Sequence, residues 1–140
     1  MREARSTVAA EAAHLPALTR FLHGFCSEGE LPAEQALAFE LALEEVFMNV
    51  VLHGAQGAGA TPLVEVALVL AEGRLTMTVE DDGPEFDPLA LPPPKLTGSL
   101  EERPVGGLGV FLVRKMMDTV TYQRIGVRNQ LRMTKDITGT

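Results

Sequence analysis

Apolar residues recur along this chain with two spacings, one typical of helices and the other typical of strands. Residues 2–10 alternate loosely and predict a strand, and the apolar positions between Glu11 and Phe25 repeat at helical spacing. A break rich in glycine and glutamate follows, and Pro32 suits the first turn of a second, longer helix that runs to about His53. This part of the chain therefore predicts a strand followed by two helices.

The remainder of the chain predicts two pairs of strands with a loop and a helix between them. Residues 63–70 and 74–79 are strand-like and joined near Gly73, and residues 119–125 and 129–135 are strand-like around Gly126. Between the pairs, residues 81–105 carry most of the prolines and predict a long irregular loop, and residues 110–117 predict a helix. Runs of helix beside meandering strands indicate an α+β fold, a two-layer sandwich of a mixed, mainly antiparallel sheet with helices on one face.

The composition is that of a globular protein. A length of 140 residues fits one domain, expected to span residues 1–140, and a hydrophobic fraction of 46% is ordinary. No apolar run approaches the roughly 20 residues that cross a bilayer, and the N-terminus lacks the apolar segment of a secretory signal. The single cysteine, Cys26, has no internal partner for a disulfide. We therefore expect a cytoplasmic protein with no membrane partner.

The net charge argues against nucleic acid as a direct partner. Nineteen acidic and twelve basic residues give a formal charge of −7, which repels a polyanion unless the basic residues cluster. A mononucleotide is different, because a few backbone N–H groups and one Mg²⁺ neutralise its phosphates locally. A small anionic ligand is therefore compatible with this composition.

One face of the long second helix is polar, although apolar residues cover most of its circumference and predict that it is largely buried. Glu45, Asn49 and His53 share this face with two small residues, Ala38 and Ala42. In one interpretation Glu45 faces solvent, Asn49 binds a neighbouring loop and His53 is a cap or core residue. In the other, Asn49 offers its carbonyl oxygen to Mg²⁺, Glu45 binds a metal-bound water or acts as a general base, and His53 supports the pocket.

Two further groups of residues lie at the ends of predicted elements. Asp81-Asp82-Gly83-Pro84 follows a strand and is explained by a turn alone, or else Asp81 accepts a hydrogen bond from the amine of adenine while Gly83 lets backbone approach the base. The run Gly106-Gly107-Leu108-Gly109 opens a helix and is either a flexible loop or an anion site at a helix N-terminus. The order of the three groups along the chain favours a nucleotide site.

Together these groups resemble the nucleotide-binding motifs of the GHKL ATPase superfamily, which includes gyrase, the Hsp90 chaperones, histidine kinases and MutL-type proteins. The resemblance spans roughly residues 33–135. It is greatest to the bacterial anti-sigma-factor serine-protein kinases, in the segment Leu43-Glu44-Glu45-Val46-Phe47-Met48-Asn49-Val50-Val51-Leu52-His53-Gly54. The resemblance implies the Bergerat, or GHKL, ATP-binding fold.

The resemblance also implies a role for each candidate residue, with ATP and Mg²⁺ as cofactors. Glu45 matches the general base and Asn49 the Mg²⁺ ligand of that family. Asp81 and Gly83 match its adenine-binding motif, although Glu85 stands where many members have a second glycine. The phosphate-binding motif matches Gly107, Leu108 and Gly109, and the segment from about residue 88 to 105 matches the lid over ATP.

The function implied by the resemblance is that of an ATP-binding serine-protein kinase and anti-sigma factor. Such a protein binds a sigma factor and phosphorylates an anti-sigma antagonist protein on serine. The alternative is a nucleotide-dependent protein-binding switch with little or no phosphotransfer, and a third reading is a structural domain with a vestigial pocket. Dimerisation is typical of the family, so a homodimer is compatible with this reading.

Overall fold

The strand and two helices expected in the first part of the chain are present. A computed structural model describes residues 1–54, 59–90 and 107–138. In it β1 (Arg2–Ala9) leads through a short 3₁₀ turn into α1 (Leu15–Glu28), and α2 (Ala33–Gly54) follows. The carbonyl of Pro32 accepts the N–H groups of Gln35 and Ala36, so this proline opens α2 as its position in the sequence predicts.

Two hairpins build most of the sheet. The first joins β2 (Leu63–Ala71) to β3 (Arg74–Asp81), and the second joins β4 (Thr119–Ile125) to β5 (Arg128–Asp136). Glu72 and Gly73 both have positive φ, which matches a two-residue turn to the twist of its strands. The strand order is β1-β2-β3-β5-β4, and every pairing within the described residues is antiparallel. The α+β architecture is confirmed, and the described sheet is antiparallel throughout rather than mixed.

Alternation along the strands turns one face of the sheet toward the helices. Inward side chains of β2, β3 and β5 are buried together with side chains from all three helices, whereas the other face is largely polar and partly exposed. The fully buried residues of this shared core include Leu18, Phe39, Leu43, Phe47, Val64, Val66, Leu68, Leu75, Met77 and Met133. The helices therefore cover one face of the sheet, as the sequence predicts.

One side of α2 is more exposed than its apolar sequence predicts. Leu37, Leu41 and Leu52 are 52%, 43% and 47% exposed, although Phe39 and Phe47 on the same helix are fully buried. The prediction of a largely buried helix is wrong for the side of α2 that carries these three leucines. Helix α2 packs against α1, the third helix and the sheet, and in the part of the chain that the structure describes nothing covers its remaining side.

The third helix, α3 (Gly107–Met116), begins on the glycines that were expected to open it. The irregular segment expected at residues 81–105 is seen only in part, since β3 continues through Asp81 and Pro88–Ala90 forms a 3₁₀ turn. Residues 91–106, which include most of the expected lid, lie outside the described residues, as do residues 55–58 of the loop after α2. No helix among the described residues is both long and apolar enough to cross a membrane.

Candidate functional site

A pocket lies between α2 and the ends of β3 and β5. It is partly open to solvent. Apolar side chains from the helix, the sheet and the segment after β3 form most of its wall. The polar side chains that line it are Asn49, His53, Asp81, Tyr122 and Asn129. The fold therefore brings two predicted site residues, Asn49 and Asp81, to the same pocket from different elements.

Asn49 is a buried amide with an unused donor. The residue is 6% exposed, and its Nδ2 atom has no hydrogen-bond partner among residues 1–54, 59–90 and 107–138. An unpaired buried donor costs about 1–3 kcal/mol, so such groups are rare unless a ligand meets them. Rotation of the amide presents either its nitrogen or its oxygen to a ligand. Asn49 is therefore a polar group of this pocket that the described part of the chain leaves unsatisfied.

Glu45 lies one helical turn before Asn49 and reaches the start of α3. It is half-buried and does not line the pocket itself. A Cβ built on Gly109 would lie 3.0 Å from Cγ of Glu45 and closer still to its carboxyl group, which is nearer than side chains normally approach. The missing side chain at Gly109 thus makes room for the Glu45 carboxylate. The predicted base, Glu45, therefore contacts the predicted glycine motif at Gly109.

The glycine motif forms the first turn of α3 rather than a loop. Gly107, Leu108 and Gly109 are all helical, and the first turn of a helix has N–H groups without partners inside the helix. The helix dipole adds partial positive charge there, which favours an anion and also favours the neighbouring Glu45 carboxylate. The three residues are therefore placed where phosphate oxygens could be bound by backbone.

Asp81 is the last residue of β3 and is 8% exposed. Its Oδ1 atom accepts hydrogen bonds from the N–H of Gly83 at 2.9 Å and from Nδ2 of Asn129 at 3.0 Å, and Oδ2 accepts none from the described residues. Burial raises the pKa of Asp81, while the hydrogen bonds from Asn129 and Gly83 and the charge of Arg124 act in the opposite direction. Asp81 therefore leaves one oxygen free at the pocket.

Gly83 holds Asp81 in place but does not line the pocket. Its carbonyl accepts a hydrogen bond from Nη1 of Arg124 at 2.9 Å. A Cβ at this position would lie 3.0 Å from Cγ of Pro62 and 3.1 Å from Oδ1 of Asp81. The close approach of these two groups accounts for glycine here. Direct contact between Gly83 and a base stays a prediction.

Asn129 is a pocket residue that the sequence reasoning missed. Besides binding Asp81, its Nδ2 donates to the carbonyl of Pro84 at 2.8 Å. Its Oδ1 accepts from the N–H of Phe86 at 3.1 Å and from the hydroxyl of Tyr122 at 2.6 Å. A signal was available, because residue 129 occupies an inward position of β5, where alternation predicts an apolar side chain. A polar residue at such a position needs partners.

A ring stack between His53 and Phe86 forms another part of the pocket wall. The ring centroids are 3.6 Å apart and the ring planes meet at 21°. His53 therefore belongs to the pocket, in agreement with the interpretation in which it supports the site. Phe86 is a pocket residue that was not singled out from the sequence. The pocket thus combines a flat aromatic surface with one free carboxylate oxygen and one unpaired amide.

Comparison with known proteins gives the chain relatives along most of its length. The family model described as the histidine kinase-like ATPase domain matches residues 8–135. The serine/threonine-protein kinase BtrW of Bordetella bronchiseptica is 31% identical over 100 residues, which is 70% of each chain. The serine-protein kinase RsbW of Staphylococcus epidermidis is 28% identical over 130 residues, covering 89% of this chain and 80% of that protein.

Solved structures share the fold at low sequence identity. The RsbU and RsbW domains of Rv1364c from Mycobacterium tuberculosis match with a TM-score of 0.71 and 14% identity, over 98% of this chain and 33% of that one. The histidine kinase domain of the Erythrobacter litoralis EL346 blue-light activated histidine kinase matches with a TM-score of 0.57 and 19% identity, over 94% and 62%. With the family model covering most of its residues, this chain belongs to the histidine kinase-like ATPase domains, the GHKL group, and resembles the anti-sigma serine-protein kinases within it.

Proposed function

We propose that this chain is an ATP-binding serine-protein kinase and anti-sigma regulatory factor that phosphorylates an anti-sigma antagonist protein. One observation carries the proposal. Asn49 and Asp81, from different elements, each offer to one pocket a hydrogen-bonding atom that no described residue pairs. The relatives BtrW and RsbW are named as serine/threonine- and serine-protein kinases, which supports phosphoryl transfer to serine as the reaction.

Asp81 suits the adenine base of ATP. An ionised carboxylate only accepts hydrogen bonds, and the exocyclic amine of adenine donates them. The apolar wall of the pocket suits the faces of a purine, and the ring of Phe86 lies within that wall. The free Oδ2 atom of Asp81 is therefore the proposed acceptor for the base.

Asn49 suits the Mg²⁺ ion that accompanies ATP. Magnesium takes oxygen ligands and commonly binds the protein through only one or two groups, with phosphates and water completing its shell. Among residues 1–54, 59–90 and 107–138, no three His, Cys, Asp or Glu side chains come together as metal ligands. Asn49 would bind such an ion through its amide oxygen, and its Nδ2 donor would be left for a phosphate oxygen or a water.

Glu45 is the proposed general base. Its carboxylate lies against Gly109, one helical turn from Asn49, and is only half-buried, so a protein substrate has access to it. There it would accept the proton of the serine hydroxyl that attacks ATP. The backbone N–H groups of Gly107, Leu108 and Gly109 would bind phosphate oxygens. Positioning and electrostatics would then account for most of the catalysis.

The proposed partners are a sigma factor and an anti-sigma antagonist protein, with a homodimer as the assembly and the cytoplasm as the location. These follow from the kinases that the chain resembles. A formal charge of −7 agrees with partners that are proteins rather than nucleic acid. A single nucleotide pocket would couple the two partners, because ATP is consumed when the antagonist is phosphorylated.

Calorimetry with Mg-ADP tests the pocket. The wild-type protein is expected to bind, and Asn49→Ala and Asp81→Ala are each expected to weaken binding by about tenfold or more, since each removes a buried hydrogen-bonding group. Glu44→Ala is the matched control, because Glu44 is an exposed neighbour on the same helix. A wild-type protein that does not bind Mg-ADP would remove the basis of the proposal.

Transfer of radiolabelled phosphate from ATP to the antagonist separates a kinase from a switch. Glu45→Gln is expected to bind Mg-ADP like the wild type and to lose transfer, because the amide cannot accept the proton. If the wild type also fails to transfer phosphate while ATP still changes its affinity for the partner, the chain is a nucleotide-dependent switch instead.

A further inference from the structure

The amide of Asn129 is saturated by its own protein. An asparagine amide has two N–H groups and two lone pairs, and the four hydrogen bonds of Asn129 occupy all of them. Asn129 lines the pocket but has no polar position left for a ligand. Any effect of this residue on a ligand must therefore pass through a residue that it holds, and Asp81 is such a residue, with a carboxylate oxygen that has no partner among the described residues.

The partners of Asn129 also fix which way its amide points. Turning it around would set its oxygen against Oδ1 of Asp81 and its nitrogen against the N–H of Phe86. Both contacts would be repulsive, because each would pair two acceptors or two donors. The amide therefore always presents a donor to Asp81, and together with the N–H of Gly83 it occupies Oδ1 and leaves Oδ2 free.

The charge state of Asp81 depends on this donor. Burial and the neighbouring Asp82 raise the pKa of Asp81, whereas Asn129, Gly83 and the Arg124 guanidinium lower it. Only the ionised carboxylate is purely an acceptor, since a protonated carboxyl also donates. The loss of the Asn129 donor would therefore change both the charge of Asp81 and the kind of hydrogen bond that it offers.

We propose that Asn129 is a positioning residue that sets the base preference of the pocket, by holding Asp81 ionised with one free oxygen. With Asp81 in this state, the pocket selects a base that donates a hydrogen bond to the free oxygen, as adenine does through its 6-amino group. The pocket disfavours a base that presents an acceptor to this oxygen, as hypoxanthine does through its 6-oxo group. The inference rests on the proposed function, because it requires a purine nucleotide in the pocket.

Asn129→Asp tests the inference with little change of shape. It keeps an acceptor for Phe86 and Tyr122 but replaces the donor beside Asp81 with a second carboxylate, and two carboxylates in contact raise one pKa strongly. The chain offers a matched control in Gln130→Glu. Nε2 of Gln130 donates to Oε1 of Glu80 at 3.1 Å on the opposite face of the same two strands. Both variants add one negative charge, and only the first faces the pocket.

The measurement is calorimetry with Mg-ADP and with Mg-IDP, the inosine nucleotide, from mildly acidic to mildly alkaline pH. The wild type is expected to prefer ADP. Asn129→Asp is expected to bind ADP about tenfold more weakly for each unit by which the pKa of Asp81 exceeds the pH, and to recover at alkaline pH. At acidic pH its preference shifts toward IDP. Gln130→Glu is expected to follow the wild type at every pH.

Two results would overturn the inference, namely an ADP affinity of Asn129→Asp that is reduced equally at every pH, or the same change in Gln130→Glu. Should Asn129→Asp not fold, Asn129→Ser removes the amide without adding charge, and a smaller shift toward IDP is expected. If the wild type binds neither nucleotide, the proposed function fails too. If the wild type binds ADP and the two variants of Asn129 keep its base preference, only the inference fails.

Discussion

The contact between Glu45 and Gly109 gives the strictest test of the site geometry. A Cβ at Gly109 would lie 3.0 Å from Cγ of Glu45 and nearer to its carboxyl group, whereas ordinary contacts begin at 3.4 Å. Alanine at position 109 and the carboxylate therefore cannot both keep their places. The obstructing atoms belong mainly to the free end of a flexible, half-buried side chain, so we expect Glu45 to move and α3 to stay.

The substitution Gly109→Ala should separate positioning from stability. Alanine stabilises a helix by roughly 0.5–1 kcal/mol relative to glycine, which offsets part of the strain, so the free energy of unfolding should change by less than about 1 kcal/mol. A catalytic group displaced by on the order of 1 Å loses up to about 100-fold in rate. We therefore expect phosphate transfer to fall by about that factor while Mg-ADP binding is nearly unchanged.

Single-turnover transfer to the antagonist measures the rate, and urea unfolding followed by circular dichroism measures stability. Gly24→Ala is the control, because Gly24 lies in α1 and a Cβ built there meets no atom within 4 Å. It should gain roughly 0.5–1 kcal/mol and transfer phosphate normally. If Gly109→Ala transfers phosphate as fast as the wild type, Glu45 does not act from this position.

Three other predictions follow from the burial of single side chains. Asn49→Leu should raise the free energy of unfolding of the protein without ligand by about 1 kcal/mol, because it removes an unpaired donor. Asn129→Leu should lower the free energy of unfolding by at least about 2 kcal/mol. Urea unfolding compares the two variants, and a large loss of stability in Asn49→Leu would mean that the Asn49 amide is paired. Since burial raises the pKa of Asp81 in the folded state, the folded protein holds this proton more tightly than the unfolded chain does, and the ionised carboxylate lowers stability at neutral pH. Asp81→Asn should therefore stabilise the protein at neutral pH and progressively less as the pH falls through the folded-state pKa; melting curves over a pH series measure this, and an equal gain at every pH would contradict it. Burial raises the pKa of Cys26 to about 11, so iodoacetamide should label the thiol only after unfolding in urea, and rapid labelling of the folded protein would refute this.

The elements of the fold were predictable because their signals are local. Pro32 marks the start of α2, Gly73 and Gly126 supply the positive φ of two hairpin turns, and alternation marks each strand. Each of these signals depends only on neighbouring residues. The ends of α1 and β3 were less accurate, because hydrogen bonds made beyond the periodic segment extend both elements by a few residues.

The parts that sequence reasoning missed depend on distant residues. The hydrogen bond from Asn129 to Asp81 joins positions 48 residues apart and requires the register of β3 against β5, which no local pattern supplies. The exposure of Leu37 and Leu41 likewise depends on which neighbours pack on α2. The placement of Asn49 and Asp81 at one pocket was anticipated from the order of the motifs along the chain and from the resemblance to known ATP-binding domains, and from no local pattern.

The two asparagines of the pocket bear on whether it is functional or vestigial. Asn129 is buried and fully paired, so the cost of its burial is met by the protein, whereas Asn49 is buried in the same pocket with a donor that no described residue pairs. A domain without a ligand would be more stable with an apolar residue in place of Asn49. An ionised, buried Asp81 adds a second cost of the same kind. Both costs are recovered only when a ligand supplies the missing partners, and binding that is selective for the folded state then stabilises the protein. The pocket therefore has the energetic character of a binding site, and under the proposed function Glu45 decides whether a nucleotide bound there is also consumed.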